Sequence, residues 1–411
     1  MTSALSTLLT PAVLVVALGY FVDIFDLTLF NMLRVQSLEA IGVPKDKIVE
    51  TGILLLNFQM AGMLIGGIFW GILGDKKGRL NVLFSSILLY STANILNAFV
   101  TDVSWYAILR FISGIGLAGE LGAGITLVSE LLPKEKRGMG TTLVATIGVF
   151  GATFGAIIVE KFNWTTCYII GGVLGLLLLF LRIQVSESHL FKGQKKQFEN
   201  HQNVQWGDFL SLFKSKKRFF RFYNTVMIGV PIWFIAGLVM AFSPELANEI
   251  GVIGEITSAK SIGISYLGLG FGDFLSGLIS QKLNSRIKSI LLFITATVLF
   301  LIILFTMSPN RNSQFYYFIC FCIGLGAGFW AIFVTVAAEQ FGTNLRATVA
   351  TSVPNFVRGS VIPMTLFFKY LKPTYGIQQS MIFVGLIVFS LSYISLYFLE
   401  ETFHKDLEYL D

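Results

Sequence analysis

The sequence predicts an all-α membrane protein with twelve transmembrane helices in two pseudo-symmetric bundles of six. Of its 411 residues, 54% are hydrophobic and 13% are charged, whereas soluble domains carry roughly 25% charged residues. Apolar windows of about 20 residues, the length that a helix needs to cross a bilayer, recur along the chain. These runs are too long and continuous for the alternating strands of a barrel, so helices are expected to satisfy the backbone in lipid.

An internal repeat predicts the two bundles. A glycine-rich apolar stretch that ends in a charged turn returns about half a chain later. The repeated positions are Gly114, Gly116, Glu130 and Arg137 in the first copy and Gly324, Gly326, Glu339 and Arg346 in the second. Arg110 and Glu120 have no charged counterpart in the second copy. We therefore expect the repeated residues to be scaffold and the unrepeated charges to carry function.

The apolar runs predict the following spans: 11–35, 51–74, 80–100, 104–131, 138–161, 164–183, 219–246, 258–281, 288–307, 315–341, 347–370 and 376–399. They divide the chain into a first bundle at 1–183, a linker loop at 184–218, a second bundle at 219–399 and a tail at 400–411. The linker is rich in lysine, which is typical of a surface facing anionic lipid. Its segment 206–213 has an apolar stripe and is expected to form a helix lying on the membrane.

The basic residues of the loops predict the orientation. Residues within a few positions of a span end are counted with the adjacent loop. With the N-terminus inside, two of the 30 lysines and arginines, Arg110 and Arg358, then lie within spans, and the inner loops and tail hold 20. The outer loops hold Arg34, Lys45, Lys47, Lys161, Lys260, Arg311, Lys369 and Lys372. We expect a multi-pass protein of the cell (inner or plasma) membrane with both termini in the cytoplasm. The same bias explains the net charge of +6, so no nucleic-acid partner is predicted.

Cysteine and histidine usage argues against an enzyme and against a metal site. The three cysteines fall in apolar spans, and the three histidines fall in loops or in the tail. A Cys-x-Cys pair without a nearby histidine does not predict a metal site, and no nucleophile has a base beside it in a recognisable pattern. We expect no catalytic residue, no metal and no cofactor.

Two aspartates share one face of the first span. Asp23 and Asp26 are three residues apart and lie near the middle of that span. An ionisable group at this depth costs at least about 2.5–3.5 kcal/mol, so it must face a wet cavity, meet a partner charge or be protonated. An ion pair that only holds two helices together is the alternative. Two acids on one face favour a proton site.

The fourth span carries Arg110 and Glu120. Arg110 and Asp26 both fall on the outer side of their helix midpoints, so their depths allow a pair between spans one and four. Glu120 lies near the centre of its span. It is either a satisfied polar residue between helices or a functional group, and the rarity of glutamate at mid-bilayer favours function.

The second half carries candidates for substrate binding. Arg358 in span eleven must meet an acid or an anion, and either a pair with Asp273 of span eight or a substrate carboxylate would serve. The two interpretations are about equal. Trp233 in span seven is a further candidate. The polar candidates for the cavity wall, each equally explained by helix packing, are Asn57, Gln59, Asn94 and Asn355.

The turn after the second span combines small and charged residues at 71–80. Its glycines allow close helix approach and a tight turn, and its aspartate can pair with a nearby arginine. A degraded copy at 277–286 has Gln281 in place of the aspartate. We expect an inner gate latch, together with the charged turns of the repeat, rather than a substrate site. The residues of this predicted latch are Gly71, Asp75, Gly78, Arg79, Glu130, Arg137, Glu339 and Arg346.

These motifs resemble the Major Facilitator Superfamily, and within it the metabolite:proton symporters, the aromatic-acid:proton symporters and the sugar porters. The resemblance covers nearly the whole chain and departs from the family pattern at His189 and His404, where proline and glycine are usual. It is carried by the 71–80 turn, Asp23-x-x-Asp26, Arg110 with Gly114 and Gly116, Glu120 after glycine, 186–191 and 400–410. It implies alternating access between two bundles and a proton-coupling pair, here Asp26 and Arg110.

The predicted function is secondary active uptake of a small polar metabolite, an organic acid or zwitterion, in symport with protons. The proton gradient supplies the energy, and the protein is expected to act as a monomer in the bilayer. Protonated Asp26 would release Arg110. Arg358 would hold an anionic group of the substrate. Glu120 or Asp23 would set the geometry of that site or take a second proton. One alternative is a proton-driven exporter, against which the missing Gly-Pro pair of span five counts. The other is an uncoupled facilitator, which needs no mid-membrane acids.

Overall fold

The computed structural model describes residues 11–132, 137–182 and 209–403. Within these ranges, side chains are not described at 11, 12, 75–77, 79, 126, 129–131, 137–139, 141, 142, 343, 344, 346 and 347. The α-helices are α1 (Pro11–Ala40), α2 (Ile48–Lys77), α3 (Arg79–Asn97), α4 (Val103–Leu117), α5 (Glu120–Leu131), α6 (Arg137–Lys161), α7 (Trp164–Arg182), α8 (Ser211–Lys214), α9 (Lys216–Phe234), α10 (Ser243–Glu249), α11 (Ser258–Leu283), α12 (Arg286–Phe305), α13 (Ser313–Ala327), α14 (Trp330–Glu339), α15 (Thr343–Gly359) and α16 (Val361–Phe398). A 3₁₀ turn at Lys45–Lys47 precedes α2, and a π-helical turn at Ile235–Val239 extends α9.

The described helices are long and apolar enough for the predicted crossings. Eleven segments meet that criterion, and the last of them, Thr348–Phe398, has 51 residues. It contains two crossings because Gly376 breaks the helix, with φ 75° and ψ −175°. The Glu249 carboxylate accepts hydrogen bonds from the next two backbone amides, Ile377 and Gln378, at 2.7 and 2.8 Å. The prediction of twelve transmembrane helices is thereby confirmed.

The internal repeat corresponds to the same broken helix in both halves. α4 ends at Leu117 and α5 begins at Glu120, while α13 ends at Ala327 and α14 begins at Trp330. The side chains of Asp102 and Asn312 cap the two helix pairs by accepting backbone N–H groups of the first turn. Glu120 and Trp330, which are equivalent in the repeat, are therefore the first residues of the second helical pieces.

The repeated glycines allow helix backbones to touch. A methyl group on Gly114 would overlap the carbonyl oxygen of Gln59 in α2, and one on Gly324 would overlap that of Ser265 in α11. In lipid, helix association depends on such close packing because the hydrophobic effect does not drive helices together. These glycines are scaffold, as the repeat predicted.

We refer to α1–α7 as the first half and to α8–α16 as the second half. The face of the bundle that carries the α1–α2 connection is the first-loop face, and the face with the α2–α3 turn is the second-loop face. The halves meet where α2 packs on α15 and α6 packs on α11. At the second contact, Thr153 Oγ1 donates to the Gly263 carbonyl at 2.9 Å.

The predicted latch is only partly described. The side chains of Asp75, Arg79, Glu130, Arg137 and Arg346 lie outside the described residues, as do residues 183–208, which include most of the linker predicted at 184–218. Gly78 ends α2 and begins α3 with φ 96°, a tight turn as expected, and Gly71 faces Thr351 of the other half. Glu339 accepts a 2.7 Å hydrogen bond from Thr402 and lies 3.6 Å from Arg286. Of the stretch 206–213 that was expected to form a membrane-surface helix, the described part begins at residue 209, and α8 (Ser211–Lys214) covers its last three residues.

Candidate functional site

Six ionisable side chains are buried at the centre of the bundle. Each is at most 2% exposed, and they are Asp23, Asp26, Arg110, Glu120, Arg182 and Arg358. We call them the central cluster. Within this set three acids face three arginines, so its formal charges cancel; Asp273, which is equally buried, is bonded to the backbone of α14 instead. This balance is what a low-dielectric interior requires of charges that it buries.

Asp23 of α1 and Arg358 of α15 face each other across the boundary between the halves. Asp23 Oδ2 and Arg358 Nη2 are 3.9 Å apart, which is an ion-pair distance but too long for a hydrogen bond. Neither oxygen of Asp23 has a hydrogen-bond partner, and neither do Nε and Nη2 of Arg358. Only Nη1 is engaged, since it donates to Asn355 Oδ1 at 3.2 Å. The pair therefore keeps donors that a ligand carboxylate could use.

Two indole rings flank the Arg358 guanidinium. Its central carbon lies 5.8 Å from the ring centroids of both Trp233 and Trp330, a distance at which the aromatic ring attracts the cation. Trp330 Nε1 donates to the Tyr20 hydroxyl across the halves at 2.9 Å. Flat apolar walls with a few fixed polar groups are the usual composition of small-molecule sites.

Asp26 and Arg110 lie near each other without touching. Arg110 Nη2 donates to Asn94 Oδ1 at 2.7 Å, and its guanidinium lies 5.1 Å from the Tyr168 ring. Asp26 is within electrostatic range of Arg110 and close to Asn94, but neither carboxylate oxygen forms a hydrogen bond. Gly171 makes room for Asp26, because a methyl group there would overlap Oδ1. In this conformation Arg110 is hydrogen-bonded to Asn94 and not to Asp26.

Glu120 has a partner that the sequence did not predict. Arg182, at the end of α7, donates to both Glu120 oxygens, at 3.0 and 2.8 Å. Ser86 Oγ donates to Oε1 of the same carboxylate at 3.1 Å. Gly19 leaves space for the guanidinium, since a methyl group there would overlap Arg182 Nη2. Arg182 was counted with the inner loops because it ends an apolar run. The unpaired Glu120 was the one signal that a cation was missing.

The proposed pair of Arg358 with Asp273 is not formed. Asp273 Oδ1 instead accepts the backbone N–H of Ala331 at 3.1 Å. It thereby satisfies an amide group in the first turn of α14, one of the donors that a helix N-terminus leaves open. Asp273 therefore stabilises the break between α13 and α14, and Arg358 turns to Asp23.

Three amide candidates for the cavity wall occupy different places. Asn355 is at the centre, where Nδ2 donates to the Ala118 carbonyl of the other half at 3.0 Å. Asn57 Oδ1 accepts from Thr365 of α16 at 2.7 Å, a second contact between the halves. Gln59 donates to the Leu27 carbonyl at 3.3 Å and packs α2 against α1. The structure thus brings Asn355 to Arg358, but not Asn57 or Gln59.

A largely buried ion pair closes the first-loop face. Arg34 Nη2 lies 2.6 Å from Glu245 Oε1 and also donates to the Ala241 carbonyl at 3.3 Å. Its guanidinium sits 4.5 Å from the Phe242 ring centroid. Arg34 is 1% exposed, although it was counted with the outer loops. Gly52 makes room for it, because a methyl group there would overlap its Cδ atom.

Weaker contacts complete the enclosure. Two solvent-exposed ion pairs also join the halves at the first-loop face, at 3.4 and 3.5 Å, and they are Glu160–Lys260 and Glu50–Lys369. On the second-loop side, Asn355 bonds to Ala118 and Gly122 lies against Thr351, so tightly that a methyl group would overlap it. The central cluster is therefore enclosed from both sides. Among the described residues, no group of three or more His, Cys, Asp or Glu could hold a metal ion.

Comparison with known proteins shows the family of the chain, relatives among transport proteins and solved structures with the same fold. The sequence model of the Major Facilitator Superfamily matches residues 16–365. The niacin transporter NiaP of Acinetobacter baylyi is 29% identical over 178 residues, which cover 42% of this chain and only 40% of that protein. The cis,cis-muconate transport protein of the same organism is 26% identical over 335 residues, 78% of each chain. The proton:xylose symporter XylE from E. coli has a TM-score of 0.75 at 16% identity, over 98% of both chains.

Proposed function

Because the chain belongs to the Major Facilitator Superfamily, a family of membrane transporters rather than enzymes, we propose that it takes up a small planar carboxylate together with protons. The observation that carries this proposal is the buried Asp23–Arg358 pair, which spans the two halves and is not hydrogen-bonded. An arginine with open donors recognises a carboxylate, and an acid that competes for the same arginine couples that recognition to a proton.

The walls of the site support a planar substrate. A flat unsaturated or aromatic acid would place its carboxylate on Arg358 and its plane between the indoles of Trp233 and Trp330. The names of two relatives agree with this chemistry, because niacin and cis,cis-muconate are both flat carboxylates. Asn355 accepts a hydrogen bond from Arg358 Nη1, so the guanidinium keeps its orientation when the ligand leaves.

Coupling follows from the charge balance of the Asp23–Arg358 pair. Without ligand this pair is formally neutral. Protonation of Asp23 alone leaves a buried positive charge, and a carboxylate alone leaves a buried negative charge; both are costly at this depth. When proton and carboxylate are both present the site formed by Asp23, Arg358 and the ligand is neutral again, and Arg358 exchanges one carboxylate for another. The halves therefore close around either no ligand or both ligands, which is the requirement for symport.

Asp26 and Arg110 form the second proposed proton site. The family resemblance implies this pair, and Asn94 between them supplies a group that can exchange partners. In the proposed cycle a proton on Asp26 leaves Arg110 bonded to Asn94, as it is here. Loss of that proton would draw Arg110 to Asp26. Glu120 is fully paired with Arg182, so its proposed role is to set the position of α5 beside Asp23.

The direction of transport rests on the orientation inferred from the loops. The first-loop face is proposed to be outside and both termini to be cytoplasmic, so that Arg34 and Glu245 form the outer gate. Uptake then means that this ion pair opens to admit ligand and re-forms behind it. The protein is proposed to do this as a monomer, since one chain contains the whole site.

Purified protein in liposomes tests the proposal. Labelled nicotinate, benzoate and cis,cis-muconate would be offered with an imposed inside-alkaline pH gradient, with nicotinamide as the matched neutral control. We expect carboxylates to accumulate only while the gradient lasts and nicotinamide not to accumulate. Accumulation only under the reversed gradient would make the protein an exporter, and equilibration that ignores the gradient would make it a facilitator.

A further inference from the structure

A pocket lies outside the central cluster, on the lateral surface of the second half. It has a volume of about 520 Å³ and lies between the start of α9 and the end of α16, at the second-loop face. This volume falls within the range of about 300–1,000 Å³ that is typical of small-molecule sites. The transport cycle proposed above makes no use of it.

The pocket is apolar along its length, and its polar end carries two basic side chains and one acidic one, Glu400. Its apolar wall includes Phe220, Ile394 and Phe398, which are 58%, 54% and 65% exposed. Lys217 and Arg221 stand on the α9 side of the rim. Arg221 also holds the end of α14, since its Nη1 donates to the Gln340 carbonyl at 3.0 Å. An apolar groove with basic side chains at its end is complementary to an anionic phospholipid, whose acyl chain is apolar and whose phosphate is negative.

The position of the pocket relative to the bilayer specifies its occupant. The span that includes α9 begins at Lys216, and the span that includes α16 ends at Phe398. The pocket therefore straddles the border between hydrocarbon and headgroups, with its apolar wall towards the hydrocarbon. The residues around Lys217 are also basic, namely Lys214, Lys216 and Arg218. Such clusters at the end of a membrane span attract anionic lipid.

We propose that this pocket binds an anionic phospholipid, with one acyl chain in the groove between α9 and α16 and the headgroup phosphate at Lys217 and Arg221. The rim also carries Glu400, at the α16 end. The bound lipid bridges α9, which leads to Trp233 of the central site, and α16, the last helix of the second half.

Native mass spectrometry of the delipidated full-length protein tests the proposal without measuring transport. The probes are phosphatidylglycerol, phosphatidylcholine with the same acyl chains, and inorganic phosphate. We expect phosphatidylglycerol to bind more tightly than phosphatidylcholine, and Lys217→Gln to weaken its binding about fivefold. Ile394→Trp, which fills the groove and leaves every charge in place, should also weaken it. Lys282→Gln removes an exposed lysine elsewhere on the same face and should change nothing.

Several results would overturn the proposal. Equal binding of the two lipids would show that the headgroup charge is not recognised. Equal losses in Lys282→Gln and Lys217→Gln would show that the general positive charge of this face attracts the lipid, and not this pocket. A loss with only one of Lys217→Gln and Ile394→Trp would break the link between headgroup and chain. Displacement of phosphatidylglycerol by inorganic phosphate would indicate a free-anion site.

Discussion

Arg182, the last residue of α7, forms a two-point ion pair with Glu120, the first residue of α5. Both side chains are at most 2% exposed, and Ser86 donates a third hydrogen bond to the carboxylate. The pair connects α7 to the break in the fourth span. Asp23 lies within electrostatic range of both charges, so the pair also sets the field at the proposed proton site.

Breaking this ion pair should destabilise the protein strongly. Glu120→Gln leaves the Arg182 charge buried without compensation, and we expect a loss of about 3–5 kcal/mol in the free energy of unfolding. Thermal unfolding of purified variants would measure the loss. The double variant Glu120→Gln/Arg182→Gln should recover much of it, because the uncompensated charge is removed. Losses that simply add would show that the two side chains do not act as a pair.

Arg358→Lys should weaken substrate binding while the fold remains intact. Lysine retains the charge but loses the planar fork that binds a carboxylate at two points. We expect the KM for a transported carboxylate to rise about 10- to 100-fold, as expected for the loss of one charged hydrogen bond. Uptake kinetics in proteoliposomes would measure the change, with thermal unfolding as the control for folding. An unchanged KM would move the carboxylate site away from Arg358.

Glu245→Gln should open the first-loop face. The Arg34–Glu245 pair is largely buried, so its loss weakens the closed conformation far more than the loss of an exposed pair, which is worth about 0–1 kcal/mol. A reporter cysteine at Ser243, a buried position beside the pair, would measure access by its rate of reaction with a thiol reagent. The background would carry serine in place of the three native cysteines.

Glu50→Gln provides the matched control for this experiment. It removes the exposed Glu50–Lys369 pair at the same face, between the same two halves. We expect the labelling rate to rise in Glu245→Gln and to stay near that of the parent in Glu50→Gln. Equal rates in the two variants would mean that the Arg34–Glu245 pair does not hold this face closed.

Glu401 should stabilise the protein in a pH-dependent way. Burial raises the pKa of its carboxyl group, but hydrogen bonds from Ser285 and from the Arg286 and Ile287 amides at the start of α12 lower it more, and the net pKa is below 4.5. A folded-state pKa below the unfolded one gives stability that is present above the unfolded pKa and is lost as pH falls through the folded pKa.

Glu401→Gln tests this contribution. At pH 7 we expect the variant to be less stable than the parent by about 1 kcal/mol, the usual size of a helix-cap interaction. The difference should shrink as the pH falls below about 4.5. Thermal unfolding at several pH values would measure it, with Glu39→Gln as an exposed control. A difference that stays constant or grows in acid would show that the carboxylate charge is not what stabilises the start of α12.

Hydropathy and the repeat predicted the fold because each can be read from short stretches of sequence without knowing how the helices pack. An apolar run of sufficient length must be a helix in lipid, and equivalent glycines predict equivalent close contacts. The break in each repeat was not predicted, because Gly119 and Gly328 lie inside continuous apolar runs. That break decides the role of Asp273, whose partner is a backbone amide that becomes available only where the helix ends.

The pairing of the central charges lay beyond the sequence for a different reason. A sequence gives the depth of a residue in a span, but not the direction in which its side chain faces across the bundle. Asp23 and Arg358 are 335 residues apart, and only the packing of the two halves brings them to 3.9 Å. Arg34 and Arg182 lie at the ends of spans, where the side chain can face water or turn inward. The structure shows that both are buried.

Gradient-driven accumulation by Asp23→Asn, beside wild type and Asp26→Asn, tests the central claim most directly. In Asp23→Asn, Arg358 is permanently free for substrate, so we expect the variant to exchange labelled carboxylate across the membrane but not to concentrate it under an inside-alkaline gradient. If Asp23→Asn concentrates substrate as well as wild type does, Asp23 does not couple the proton. If Asp26→Asn alone does not concentrate substrate, Asp26 and Arg110 couple the proton.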